Sequence, residues 1–285
     1  MGFTIGRQNV IFMDGFLVND NLDGIGFSKN NIRFAGNPNL VNWRTSVFFG
    51  LDDVHRNNNV EDDDSTLFAW FNQIDTIKAS YNFDVVYVDG SDEAGDLLNI
   101  GIDTIRRIGK TSATFRAAFS TALDDETAQS GDGALLFTEL SWIPAYTHNN
   151  LYINGFVAID NFTSAARGPL NGGPLGRTGL LFAAQGIGSV PPPLSNRSQE
   201  AAGAALGYQM FWNDKKTQLI VEGGGRIDTS SDDDEVSSQE GYGLSVRFQQ
   251  AVGHRSFFQI DGFAVNTSQT SGVEYGLRLE LQVKL

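Results

Sequence analysis

The stretch GVEYGLRLELQVKL, residues 272–285, alternates without interruption. Val273, Tyr275, Leu277, Leu279, Leu281, Val283 and Leu285 form one set; Glu274, Gly276, Arg278, Glu280, Gln282 and Lys284 form the other. A period of two places successive side chains on opposite faces of a β-strand. One face is therefore continuous hydrocarbon and the other polar and charged, over a span longer than the ~5–6 residues usual for a soluble strand. An apolar face that long needs an apolar medium, and the charged face behind it needs water or partners.

The same pattern recurs upstream. In IKASYNFDVVYV, Ile77, Ala79, Tyr81, Phe83, Val85 and Tyr87 oppose Lys78, Ser80, Asn82 and Asp84. In LLNIGIDTI, Leu98, Ile100 and Ile102 oppose Asn99, Gly101 and Asp103, and Thr104–Ile105 break the series. SATFRAAFSTAL sets Phe115 and Phe119 against Arg116 and Ser120; ALLFTELSW sets Leu136, Leu140 and Trp142 against Glu139 and Ser141. TQLIVEGGGRID and YGLSVRFQ carry Glu222, Arg226, Ser245 and Arg247 on their polar faces. With poorer strands expected near 2–13, 24–35, 41–50, 65–71, 151–162, 200–212 and 256–267, the total is about fourteen. Most have the ~9–11 residues that a tilted membrane-crossing strand needs.

The connections alternate in length. GHR (253–255), NDKK (213–216), PAYTHNN (144–150), IGK (108–110), NQIDT (72–76) and GNPN (36–39) are short. Between them fall DTSSDDDEVSSQE (228–240), DDETAQSGDG (124–133), DGSDEAGD (89–96), LDDVHRNNNVEDDD (51–64) and the segment 163–199. SQTSG at 268–272 is the exception. Segregation of loop length by parity predicts an all-β, transmembrane antiparallel up-and-down β-barrel, with short periplasmic turns and long acidic extracellular loops. Trp43, Trp70, Trp142 and Trp212 all border short turns, as an interfacial aromatic girdle requires. Closure into a barrel removes the unpaired edges that a bilayer excludes.

Composition narrows the function. Among 285 residues there are no cysteines, and the net charge is −14 with a pI near 4.5. An acidic chain is a poor phosphate-backbone binder, so nucleic acid is not an expected partner. No run approaches the 18 apolar residues of a membrane-crossing helix. The N-terminus MGFTIGRQNVIF lacks the basic, apolar and small-residue zones of a signal peptide.

The whole chain resembles Gram-negative outer-membrane β-barrel porins. Its opening, FTIGRQNVIFMDGFLVND followed by LDGIGFSKNNIRF, is similar around Gly6, Arg7 and Gln8 to a strand-hairpin of the alginate-export and related substrate-specific porins. The resemblance implies a single barrel over 1–285 in a Gram-negative outer membrane, in contact with lipid and lipopolysaccharide. It departs at Leu285, where the class ends on an aromatic residue. The hairpin also lies inside the barrel sequence of those families, so the chain reads alternatively as the C-terminal part of a larger barrel.

Parity assigns to the inner wall Arg44, Lys78, Arg107, Arg116, Arg226, Arg247, Arg278 and Lys284, with Asp84, Asp103, Glu139, Glu222, Glu274 and Glu280. These charges read as a pore for passive diffusion of ions and small polar or oligomeric solutes, or alternatively as pairs that fill a narrow barrel. Segment 163–199 reads as a constriction or plug loop carrying Arg167 and Arg177, or as a surface loop packed on its neighbours. The runs Asp62–Asp63–Asp64 and Asp232–Asp233–Asp234 could collect loop-bound calcium or magnesium, but they lack the spaced ligand pattern of a dedicated site and read first as a solvated acidic rim. No resident cofactor is expected. His55, His148 and His254 lie in loops and turns without serine and carboxylate in evident reach, so no enzyme is expected either. Two other readings stand beside the pore: a non-conducting outer-membrane scaffold binding through its acidic loops, and a soluble all-β secreted protein.

Overall fold

The structure, a computed structural model, describes residues 1–32, 39–51, 54–57, 60–62, 65–90, 95–124, 131–160, 162–165, 181, 200–229, 240–253, 256–268 and 271–283. The first eight strands are β1 (Gly2–Phe12), β2 (Val18–Lys29), β3 (Leu40–Leu51), β4 (Val54–Asn57), β5 (Val60–Asp62), β6 (Thr66–Thr76), β7 (Ala79–Asp89) and β8 (Leu97–Ile108). Then follow β9 (Thr111–Ala122), β10 (Gly133–Trp142), β11 (Asn150–Asp160), β12 (Ala201–Trp212), β13 (Thr217–Asp228), β14 (Gly241–Ala251), β15 (Ser256–Thr267) and β16 (Val273–Val283). Fourteen of these form one sheet in chain order, β1-β2-β3-β6-β7 and onward to β16, while β4 and β5 make a separate hairpin. Among the described residues no helix is long and apolar enough to cross a membrane.

Strict up-and-down order follows from the chemistry of the turns. Between β6 and β7 only Ile77 and Lys78 intervene, because the Thr76 hydroxyl donates to the Ala79 carbonyl and accepts the Ala79 N–H. NQIDT is thus strand, not turn, and the polar series expected from Lys78 begins on the strand only at Ser80. The β1–β2 reversal is also tighter than the expected strands at 2–13 and 24–35 allow. A 3-10 turn at Met13–Gly15 ends β1, and β2 begins at Val18.

The two faces of the strands differ in an inverted sense. On β16, Tyr275 is 83% and Leu277 71% exposed, while Glu274, Arg278 and Glu280 between them are half-buried. On β8, Ile100 and Ile102 are exposed while Asn99 and Asp103 are buried; on β11, Leu151, Ile153 and Val157 are exposed while Asn154 is buried. Hydrocarbon outside and polar groups inside is the reverse of a water-soluble sheet. At about 25 cal/mol per Å² of apolar surface, such a face is stable only against hydrocarbon.

Contacts divide the chain into two compact units: Met1–Arg107 with Ala113–Thr138 and Ala158–Gly173, and Ile108–Ser112 with Glu139–Val157 and Pro174–Leu285. Each has its own buried polar inner face.

Placing Arg at Leu277 should lower the stability of the folded protein in lipid vesicles by about 2–4 kcal/mol if that residue lies near the bilayer midplane, and Glu280→Gln by less than about 1 kcal/mol. Urea titration of the vesicle-embedded protein checks this.

Candidate functional site: the polar inner face

In the first unit, register aligns the inner face in rows. Arg44 on β3 pairs with Gln73 on β6, Gln73 with Asn82 on β7, and Asn82 with Asp103 on β8. The adjacent row is Ser46, Phe71, Asp84 and Gly101. These rows, together with Ile11, Phe12 and Met13, line a cavity of about 260 Å³. The Asn82 side-chain amide donates to Asp103 Oδ1 at 2.6 Å. Arg116 on β9 places Nε 3.8 Å from Asp103 Oδ2, with both side chains almost wholly buried.

Arg116 is held in place by aromatic rings. Its guanidinium carbon lies 5.1 Å from the Phe16 ring centre and 5.4 Å from that of Phe137, within cation–π range. Phe16 belongs to the β1–β2 reversal, so Met13–Val18 turns inward instead of standing at a rim. Met13, Phe16, Leu17 and Val18 are all buried. Gly101 makes that approach possible, since a Cβ there would sit 2.8 Å from Leu17 Cδ1 and Met13 Sδ. Residues Phe162–Ala165 are buried against the same wall. Thr163 donates its N–H to Ser120 Oγ (3.1 Å) and accepts from the Asn99 amide (2.7 Å), while Ser164 Oγ donates to the Phe16 carbonyl (2.9 Å). The start of the long segment therefore packs on the inner face.

In the second unit Glu222 on β13 is completely buried. Tyr152 on β11 donates its hydroxyl to Glu222 Oε2 at 2.6 Å by reaching across β12 at Gly207, where a Cβ would collide with the ring at 2.0 Å. Leu181 donates its N–H to Glu222 Oε1 at 2.7 Å, so one point of segment 163–199 is fixed to the inner wall. Farther along, Asp261 on β15 lies between Arg247 on β14 and Arg278 on β16 in register. Arg247 Nε donates to Asp261 Oδ1 at 2.6 Å, Gln259 donates to Asp261 Oδ2, and Arg278 pairs with Glu280.

The expected inner-wall residues on described strands all occupy the inner parity: Arg44, Asp84, Asp103, Arg107, Arg116, Glu139, Glu222, Arg226, Arg247, Glu274, Arg278 and Glu280. Unbroken β7–β8 pairing carries the parity through Thr104 and Ile105 to Arg106, which leaves Arg107 inward. Asp84, Asp103, Arg116, Glu139, Glu222 and Arg226 are buried, whereas Arg44 and Arg107 are exposed. Lys78 is the correction. It sits exposed in the β6–β7 turn and not on a strand wall, because the Thr76–Ala79 exchange closes the turn there.

Lys284, Arg167, Arg177, Asp63, Asp64 and Asp232–Asp234 lie outside the described residues, and of Asp62 only the strand backbone of β5 is described. Trp43, Trp70, Trp142 and Trp212 all occupy the outward parity. Trp43 Nε1 donates to Asn72 Oδ1 (3.4 Å) and Trp70 Nε1 to Thr45 Oγ1 (3.1 Å). Alternation alone missed Asp261, which lies on the irregular β15, and Tyr152, an aromatic that reads as wall.

No family model and no curated protein sequence matches the chain. Solved structures do. OccK10 (OpdN) of Pseudomonas aeruginosa superposes with a TM-score of 0.66 at 13% identity, over 98% of this chain and 78% of its own. OccK2 (OpdF) of the same organism, solved in complex with glucuronate, gives 0.66 at 10% identity, over 99% and 78%. OpdK with vanillate gives 0.65 at 11%, over 99% and 74%. The fold is that of an outer-membrane porin. The fourteen-stranded sheet thus has the fold of a porin wall, with one apolar and one polar face. The alginate-export subfamily suggested by Gly6–Gln8 draws no support from these neighbours.

Removing the Glu222 carboxylate should release Leu181. A hydrogen bond to a charged acceptor contributes roughly 1.5–3 kcal/mol. Glu222→Ala should therefore speed hydrogen exchange at the Leu181 amide by about tenfold or more, whereas unchanged exchange would show that other contacts hold the segment.

Proposed function

We propose that this protein is a channel of a Gram-negative outer membrane, passing ions and small polar solutes by passive diffusion. The observation that carries the reading is the inner face: a wall whose lipid side is hydrocarbon places ordered rows of arginine, aspartate, glutamate and amide groups on the other side. Charges arranged in this way select solutes by electrostatics at close quarters. Two of the structural neighbours were solved with small polar carboxylates, glucuronate and vanillate, which agrees with transport of such solutes by this architecture. The reading assigns translocation and no chemical transformation, with lipid and lipopolysaccharide as surroundings and the acidic long loops facing outward.

A second reading has its own support. Met13, Phe16, Leu17 and Val18, Phe162–Ala165 and Leu181 are all buried on the inner face. A sealed interior would make the barrel a scaffold that binds through its loops. Inward segments that narrow an interior also set the size limit of a channel, so the same observation fits the first reading.

Refolded protein in a planar bilayer should give steady single-channel steps in potassium chloride. Under a salt gradient, the sign of the reversal potential reports whether the exposed Arg44 and Arg107 or the inner carboxylates dominate. Insertion without conductance would favour the scaffold.

A further inference from the structure

The cavity in the first unit contains an electrostatic imbalance. Asp103 shares its carboxylate with Arg116 and the Asn82 amide. Asp84 does not have such help. It is 3% exposed, it occupies the inner parity of β7, and it lines the cavity. Its hydrogen bond comes from the Asn72 backbone N–H, and among the described residues no cation lies within ion-pair distance of it. Asn82 Oδ1, on the same wall, is a buried acceptor with no hydrogen-bond partner. Arg44 does not fill the gap. It is two strands from Asp84 and one row away, about 10 Å or more at a strand spacing of ~4.8 Å, and it is exposed.

A buried carboxylate without a counter-charge is unfavourable, and so is a buried acceptor without a donor. The two lie on one strand two residues apart, hence on the same face and about 7 Å apart. An ammonium group carries three donors and one positive charge, so it satisfies both groups from between them. Phe12, Met13, Phe71 and Ile105 supply an apolar wall for a short hydrocarbon body, beside the polar Arg44, Ser46, Asn72, Gln73 and Asp103 of the same lining. The volume of about 260 Å³ admits one small molecule.

Building on the channel reading above, we propose that this cavity is a subsite for a small organic solute bearing a primary ammonium group, with Asp84 and Asn82 as its recognition pair. The ammonium donates to the Asp84 carboxylate, whose charge it balances, and to Asn82 Oδ1, while the alkyl portion lies against Phe12 and Phe71.

The probe is n-butylammonium, with butyrate as the control of opposite charge, titrated calorimetrically into refolded protein in detergent and added to the potassium chloride current in a planar bilayer. Calorimetry reads the subsite whether or not the protein conducts, so its outcome is separable from that of the channel reading. Saturable binding of butylammonium, weaker by about tenfold in Asp84→Asn and severalfold in Asn82→Ala, is expected. The current should show a matching concentration-dependent block that butyrate does not reproduce. Asp84→Asn keeps the shape of the side chain, and the retained heat-dependent gel mobility of folded barrels checks that it has assembled. No binding, binding unaltered in Asp84→Asn, or equal binding of butyrate would overturn the proposal.

Discussion

A peptide N–H or C=O in hydrocarbon finds no water, and each one left unpaired costs several kcal/mol. That constraint underlies the rest of this structure. It favours strands paired along their length, and the up-and-down order joins fourteen strands each to its neighbours in one sheet. It also inverts the usual side-chain pattern. Once lipid replaces water outside, leucine, isoleucine and phenylalanine face out, and the polar residues have only the interior left. The proposed function rests on this placement, because the charged groups are the ones the outer face cannot hold.

The interior is then crowded, and small residues make room. Tyr152 reaches Glu222 only because Gly207 lies beneath its ring, and Leu17 and Met13 pack down only because Gly101 has no side chain. Phe263 occupies the space over Gly276 in the same manner, where a Cβ would approach the ring at 2.5 Å. Several charges inside this layer are paired locally: Arg116 with Asp103 between two phenylalanine rings, Arg247 with Asp261, Arg278 with Glu280. In each unit the inner face is therefore a packed polar layer.

How much of this could be read from the sequence depended on how pure the alternation was. β16 is legible residue by residue, because one face meets lipid and the other carries Glu274, Arg278 and Glu280 without an apolar intruder. β15 is not. Its inner positions are Phe257, Gln259, Asp261, Phe263, Val265 and Thr267, half of them apolar because the interior packs as well as solvates. Asp261 was hidden in that mixture. The β1–β2 reversal was expected to fill the gap between strands at 2–13 and 24–35, but β2 begins at Val18, and Phe16, Leu17 and Val18 are buried against the wall. At Lys78 the alternation ran past the true strand end, since Ile77 continues the apolar series into a turn that a threonine hydroxyl closes. Parity of loop length held from β6 to β15 but not at the start of the chain, where the link from β1 to β2 is shorter than the link from β2 to β3.

The absence of cysteine allows a direct test of the inverted faces. A nitroxide attached to Leu277→Cys, and separately to Arg278→Cys, would be measured in vesicles for collision with oxygen, which concentrates in hydrocarbon, and with a water-soluble nickel chelate. The account predicts strong oxygen and weak nickel contact at 277, with the reverse or shielding from both at 278. Strong nickel contact at 277 would mean that the apolar face stands in water, and the lipid-facing barrel would be contradicted.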